Sequence, residues 1–173
     1  GYWAQIASII EGHYEENDGF VVLHGSDTMS YSASALSFML ENLEKPVIFT
    51  GSQLPIGDLR TDAKENLITS IEIAALRKKG KPVLREVGLY FEYKLYRGNR
   101  TTKINAEHFE AFNSLNYPPL VESGVHLNVH DNYLIKKVTK NKSLQVHKKM
   151  DDRVAILKLF PGINQNVLQS VLN

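Results

Sequence analysis

Two stretches of one design, "FVVLHGSDTMSYSASALSFML" from Phe20 and "PVIFTGSQLP" from Pro46, constrain this fold more than any other feature of the chain. Each is an unbroken apolar run that stops at a glycine, crowds small polar residues into a turn and then leads toward a helical pattern. A short run without polar alternation predicts a strand covered on both faces, as in a parallel sheet. A strand followed by a helix and then another such strand predicts a βαβ unit with a right-handed crossover.

The flanking segments extend the pattern. Trp3, Ile6, Ile9 and Ile10 recur at helical spacing and predict an amphipathic first helix. Leu36, Phe38, Met39, Leu40 and Leu43 predict a second. A third runs from about Thr61 through Leu67, Ile71, Ile73, Ala74 and Leu76 and stops at Gly80. "EVGLYFEYKLYRG" reads as one further strand, so the expected class is α/β, a parallel sheet with helices on both faces.

Beyond Arg97 the sequence is polar, which predicts an exposed connection with a short helix over Glu107 to Phe112. "GVHLNVHDNYLIKKVTKNKSLQVHKKM" alternates like antiparallel edge strands, a β-hairpin region. "RVAILKLFPGINQNVLQSVL" begins a new buried strand, Pro-Gly turn and helix. One βα unit cannot bury its own faces, so the expected division is a domain over 1–150 and the start of a second α/β domain over 151–173.

Composition excludes several function classes. Twenty basic and nineteen acidic side chains leave a net charge of +1, giving no global field for nucleic acid, membrane or polyanions. The chain has no cysteine, which rules out disulfides and thiolate metal sites within it. No apolar run is long enough to span a bilayer. Six lysines between Lys136 and Lys149 raise the possibility of an anionic partner, but Val138, Leu144 and Val146 interrupt them as in a solvated edge hairpin. The aromatic residues expected of a single-strand binder are missing there.

Chemistry concentrates in "HGSDT". In an open α/β sheet, ligands bind beyond the carboxyl ends of the strands, where helix N-termini present unpaired N–H groups. Gly25 is expected to allow a sharp turn, Ser26 and Asp27 to project from it, and Asp27 or Thr28 to cap the next helix. Thr50 and Ser52 of "TGSQ" end the neighbouring strand in the same layer. A serine-hydrolase elbow fails on spacing, because His24 and Thr28 occupy the places that need glycine. His24 reads as a packing or backbone-bonded residue.

"HGSDTMSYSASALSFML", "KPVIFTGSQLPIGDLRTDAKENL" and "LYRGNRTTKINA" together resemble the bacterial L-asparaginase family, in its type I cytoplasmic branch. The resemblance covers nearly the whole chain in matching order. It implies a flavodoxin-like N-terminal asparaginase domain and hydrolysis of L-asparagine to L-aspartate and ammonia, with no metal or organic cofactor. It also implies a cytoplasmic homo-oligomer, a dimer or dimer of dimers, with no nucleic-acid or membrane partner. His24 to Thr28 fall on the family's His-Gly-Thr-Asp-Thr segment, with Ser26 in place of the usual threonine. The resemblance assigns Asp27 to the substrate's α-ammonium, Lys103 to the catalytic lysine and the Ser52 backbone carbonyl to the substrate amide; Ser26 and Gly25 line the same pocket. The family segment bearing a threonine nucleophile is not found before Gly1, and most of the family's C-terminal domain does not follow. The resemblance therefore implies an asparaginase parent and an inactive chain when it stands alone. Two alternatives are the asparaginase-like subunit of a tRNA-dependent amidotransferase and a non-catalytic interaction module with an apolar patch over Val154 to Leu172.

Overall fold

The computed structural model describes residues 1–136 and 142–172. Six strands form one sheet whose spatial order follows the chain. They are β1 (Phe20–Leu23), β2 (Val47–Thr50), β3 (Val87–Phe91), β4 (Lys94–Arg97), β5 (Val121–Ser123) and β6 (Leu127–Val129). The first three are parallel, and β4 to β6 continue the sheet antiparallel. The α/β class stands, with a mixed sheet. Helices α1 (Tyr2–Gly12), α2 (Met29–Met39) and α3 (Ala63–Ala75) cover it.

Alternation along β2 and β3 divides the interior. Val47, Phe49, Val87, Leu89 and Phe91 pack with Ala7 and Ile10 of α1 and with Met29, Ala33, Leu36 and Met39 of α2. Ile48 and Tyr90 face the other way, onto Ile73 and Ala74 of α3. This arrangement corrects the expected handedness. The connections β1–α2–β2 and β2–α3–β3 step in the same direction across the sheet, yet their helices lie on opposite faces. The two crossovers therefore have opposite hand, and one is left-handed against the strong right-handed preference. The chain leaving β1 and the chain leaving β2 therefore lead to helices on opposite faces of the sheet.

Four local expectations are also corrected. "EVGLYFEYKLYRG" is a hairpin of two strands, because Glu92 and Tyr93 take φ of 44° and 67° and reverse the chain. No glycine marks that turn, so its strain is invisible in the sequence pattern. Tyr93 is 55% exposed, and Tyr93→Gly is expected to raise stability by up to about 1 kcal/mol, read as a higher urea midpoint. Helix α3 ends at Ala75 instead of Gly80, where Arg77–Lys78 and Lys81–Pro82 pair around a left-handed Lys79–Gly80 turn. No helix forms over 107–112; Phe112–Asn113 instead pairs with Thr102–Lys103, burying Ala111 and Phe112 against the α1–α2 side. Residues 151–160 form no strand, since none of the described strands pairs with them, and Val154, Ile156, Leu159 and Phe160 are exposed. Helix α4 (Gln165–Leu172) follows without burying a side chain.

Gln145–Val146 of the lysine-rich stretch pairs antiparallel with Leu40–Glu41, while Leu144 and Val146 pack on the core. His147 bonds Glu41 at 2.8 Å, and Lys148 pairs with Glu11 at 2.5 Å. Lys137, Val138 and Lys140 lie outside the described residues. Among the described residues no helix is long and apolar enough to cross a membrane.

Candidate active site

The carboxyl ends of β1 and β2 are level. Leu23 stands opposite Thr50, and the His24 N–H donates to the Thr50 carbonyl at 2.8 Å. Gly51 then passes so close to β1 that an added Cβ would lie 2.2 Å from the His24 carbonyl oxygen. The glycine that this crossing requires is Gly51. Gly25 has no positive φ, and a Cβ there would meet nothing within 4 Å, so the expected sharp glycine turn is corrected.

His24 is locked on both ring nitrogens. Its Nδ1 lies 2.8 Å from the Gly25 carbonyl, which can only accept, so Nδ1 carries the proton. Nε2 then accepts from Ser32 Oγ at 2.9 Å, and Trp3 Nε1 donates to that same hydroxyl at 2.8 Å. This chain fastens the start of the "HGSDT" loop to α1 and α2. His24 is a structural anchor for the residues that follow it.

Thr28 occupies the cap position of α2, but neither it nor Asp27 makes a side-chain cap bond. The expected cap is corrected because the Asp27 carboxylate has a stronger partner. Lys103 Nζ lies 2.8 Å from Asp27 Oδ1 and 2.8 Å from Ser26 Oγ. The three residues singled out in the sequence therefore converge, across 76 and 77 positions of chain. The route explains how. After β4 the chain packs Gly98 against Ala33 and Ser37 of α2, where a Cβ would lie 3.0 Å from three oxygens. It then returns along α2 to the short strand Thr102–Lys103.

The pair is asymmetric. The Lys103 side chain is 15% exposed and that of Asp27 is 91% exposed. A hydrogen bond and the charge of Lys103 hold the Asp27 carboxyl below the usual carboxylate range. One carboxylate oxygen engages Lys103, and the other remains for a further donor. An open cleft of about 360 Å³ lies alongside, lined by Asp27, Ser30, Tyr31, Lys103, Asn105 and Ala106 among others. Ser52 lies just past the end of β2, partly buried and next to Gln53.

Sequence reasoning passed over Gln53, Asp62 and Asn66. Gln53 Oε1 accepts from Ser26 Oγ at 3.1 Å. The Asp62 carboxylate accepts from the Gln53 and Leu54 N–H groups, holding the "TGSQLP" loop rigid. Asn66, almost fully buried, donates to Asp62 and to the Gly51 carbonyl and accepts from the Glu92 N–H. An aspartate just before a helix signals a cap, yet Asp62 serves the preceding loop and caps nothing. Among the described residues no group of three His, Asp or Glu side chains is placed to hold a metal ion.

The arrangement combines a hydroxyl, an amine that can hand it a proton or take one, and an open carboxylate suited to a cationic ligand group. Comparison with known proteins gives a consistent picture. The family model described as asparaginase, N-terminal, matches residues 1–134. The chain is 46% identical over 176 residues to L-asparaginase 1 of Escherichia coli strain K12, covering 98% of this chain and 48% of that protein. It is 46% identical over 170 residues to a mouse protein named 60 kDa lysophospholipase, covering 98% of this chain and 29% of that one. The crystal structure of L-asparaginase I from Vibrio cholerae superposes with a TM-score of 0.88 at 42% identity, covering 99% of this chain and 50% of that one. The chain thus spans about half the length of the bacterial relatives and less than a third of the mouse relative.

Proposed function

The chain belongs to the asparaginase family, and from that premise we propose that the full-length protein hydrolyses L-asparagine to L-aspartate and ammonia, with Ser26, Asp27 and Lys103 in the reacting site. The observation that carries this reading is the single Lys103 ammonium within 2.8 Å of both the Ser26 hydroxyl and the Asp27 carboxylate.

The chemistry follows from what an amide requires. Its carbonyl is a poor electrophile, so hydrolysis needs a positioned nucleophile and a proton path to the leaving nitrogen. With Lys103 first deprotonated to the neutral amine, its ammonium proton given up to solvent, an attacking hydroxyl passes its proton through Ser26 to the Lys103 nitrogen as its oxygen bonds to the side-chain carbonyl carbon. The relay returns that proton to the amide nitrogen, the C–N bond breaks and ammonia leaves. Water then cleaves the acyl ester, releasing aspartate and restoring the hydroxyl. The free oxygen of Asp27 takes the substrate α-ammonium, and the Ser52 backbone carbonyl accepts from the side-chain amide before it departs. No step calls on a metal or organic cofactor. In this reading the protein works in the cytoplasm as a homo-oligomer, with L-asparagine as its small-molecule substrate.

The charged Asp27 and Lys103 and the polar Ser30, Thr102 and Asn105 along the cleft suit a small zwitterion better than a lipid, with Tyr31 and Ile104 as the larger apolar members. Incubation of the full-length protein with asparagine is expected to yield ammonia and aspartate in equal amounts. Failure to do so would overturn this reading, and release of ammonia only with a partner subunit and an aminoacylated tRNA would replace it with the amidotransferase one. Lysophosphatidylcholine cleavage in place of asparagine hydrolysis would overturn it. The 173-residue chain alone is expected to stay at the blank rate. Lys103 is the one cation among the cleft-lining residues and is already engaged, so the substrate α-carboxylate has no charged partner there.

A further inference from the structure

Gln53 joins the two loops of the site, and its amide can be oriented in one way only. Nε2 lies 3.1 Å from the Ala106 carbonyl and 3.0 Å from the His108 carbonyl, two groups that can only accept. Both amide hydrogens are therefore committed to the loop that follows Lys103. Reversing the amide would set its oxygen against two carbonyl oxygens. Oε1 must then face Ser26, 3.1 Å away.

This orientation fixes the Ser26 proton. The Lys103 ammonium can only donate, so Ser26 Oγ accepts from it. The hydroxyl hydrogen is left to Gln53 Oε1, and the chain runs Lys103 to Ser26 to Gln53 without an alternative. We infer that Gln53 is a positioning residue that sets the polarity of the Ser26–Lys103 proton relay while clamping the Ala106–His108 loop over the site. The inference rests on the asparaginase reading for its kinetic part and on the hydrogen bonds alone for the clamp.

The relay needs this polarity. While Lys103 is an ammonium, the Ser26 lone pairs face it and the hydroxyl proton is parked on an oxygen that cannot keep it. When Lys103 has given up its ammonium proton to solvent and acts as base, the Ser26 proton turns toward its nitrogen, and the neutral Gln53 Oε1 is released. Gln53 thus holds the resting direction without competing for the proton. Its own backbone remains anchored through Asp62, so the side chain can be changed without freeing the loop that bears it.

Two variants of the full-length protein test this. Gln53→Met keeps length and shape but removes the acceptor and both donors. It is expected to lower kcat for asparagine at least about tenfold, with KM within about threefold, and to speed amide exchange over residues 105–111. Gln53→Glu keeps the acceptor toward Ser26 and, only when protonated, supplies one O–H in place of the two amide hydrogens that reach the loop carbonyls. Its kcat relative to the unaltered protein is therefore expected to fall at least about fivefold as pH is raised through the ionisation of the introduced carboxyl, whose free reference value is about 4.3. Unaltered kcat in Gln53→Met would overturn the inference, as would a pH-independent ratio in Gln53→Glu. Should the unaltered protein not hydrolyse asparagine, the functional reading fails by itself. Amide exchange then decides the clamp: faster exchange in Gln53→Met supports it, and unchanged protection overturns it.

Discussion

Lys103→Met in the full-length protein is expected to reduce kcat for asparagine by about a thousandfold or more, while the far-ultraviolet circular dichroism stays unchanged. Methionine retains the aliphatic length of lysine but supplies neither proton nor charge. Ser26 loses its donor and its route to a base, and Asp27 loses its ionic partner. The fold should tolerate the change, because the Thr102–Lys103 strand is held through its backbone and through buried Phe112 opposite. A second readout belongs to Asp27. Its carboxyl is held below the usual range by Lys103, so carbon NMR should show its titration rising to the ordinary range in Lys103→Met. The linked stability has a definite sign. A depressed carboxyl pKa contributes stability above the unfolded-state value and loses it as pH falls through the folded value, so the variant should lack that acid-limb component. Wild-type turnover in Lys103→Met would remove the lysine from the mechanism.

Gly51→Ala is expected to destabilise the protein by about 3 kcal/mol or more, seen as a lower urea midpoint with unchanged slope. The new methyl would lie 2.2 Å from the His24 carbonyl oxygen and 2.9 Å from the Met29 terminal carbon, and Met29 is fully buried. The Met29 methyl ends a flexible side chain and can shift, but the His24 carbonyl cannot withdraw cheaply. The His24 N–H is bonded across to Thr50, and its ring is tied to Gly25 and Ser32. Relief therefore has to come from separating β1 from β2, which also parts Ser26 from Gln53. Gly25→Ala is the matching control, expected to cost less than about 1 kcal/mol because nothing surrounds the new methyl. Equal destabilisation by the two substitutions would show that the loop, and not the crossing of the strands, sets the requirement.

Part of the candidate site was legible in sequence because its polar turns follow buried strands, and an open α/β sheet binds ligands beyond the carboxyl ends of its strands, although such residues also serve as helix caps. "HGSDT" and "TGSQ" each follow a buried strand, and the structure sets those ends side by side. Lys103 carried no such local sign. It follows two threonines in a polar connection, and only the resemblance of "RGNRTTK" to a known family marked it. Gln53 was equally hidden, since a glutamine in a loop is usually solvated and its value here depends on three partners from two distant loops. The misread helix over 107–112 has a related cause. Ala111 and Phe112 are apolar because they close a strand pair beneath Lys103, and helical periodicity cannot distinguish that from one turn of helix.

The sequence by itself determined the α/β class, the strands at Phe20 and Val47, the helices behind them and the polar turn between, because apolar period and turn chemistry are local properties. Tertiary structure alone decided that α2 and α3 lie on opposite faces, which demands one left-handed crossover. It also decided that the chain beyond β4 doubles back along α2 to bring Lys103 to Ser26 and Asp27. Neither outcome is encoded in a short window: each depends on which face of a strand finds apolar cover, and that is settled only when the whole sheet is assembled.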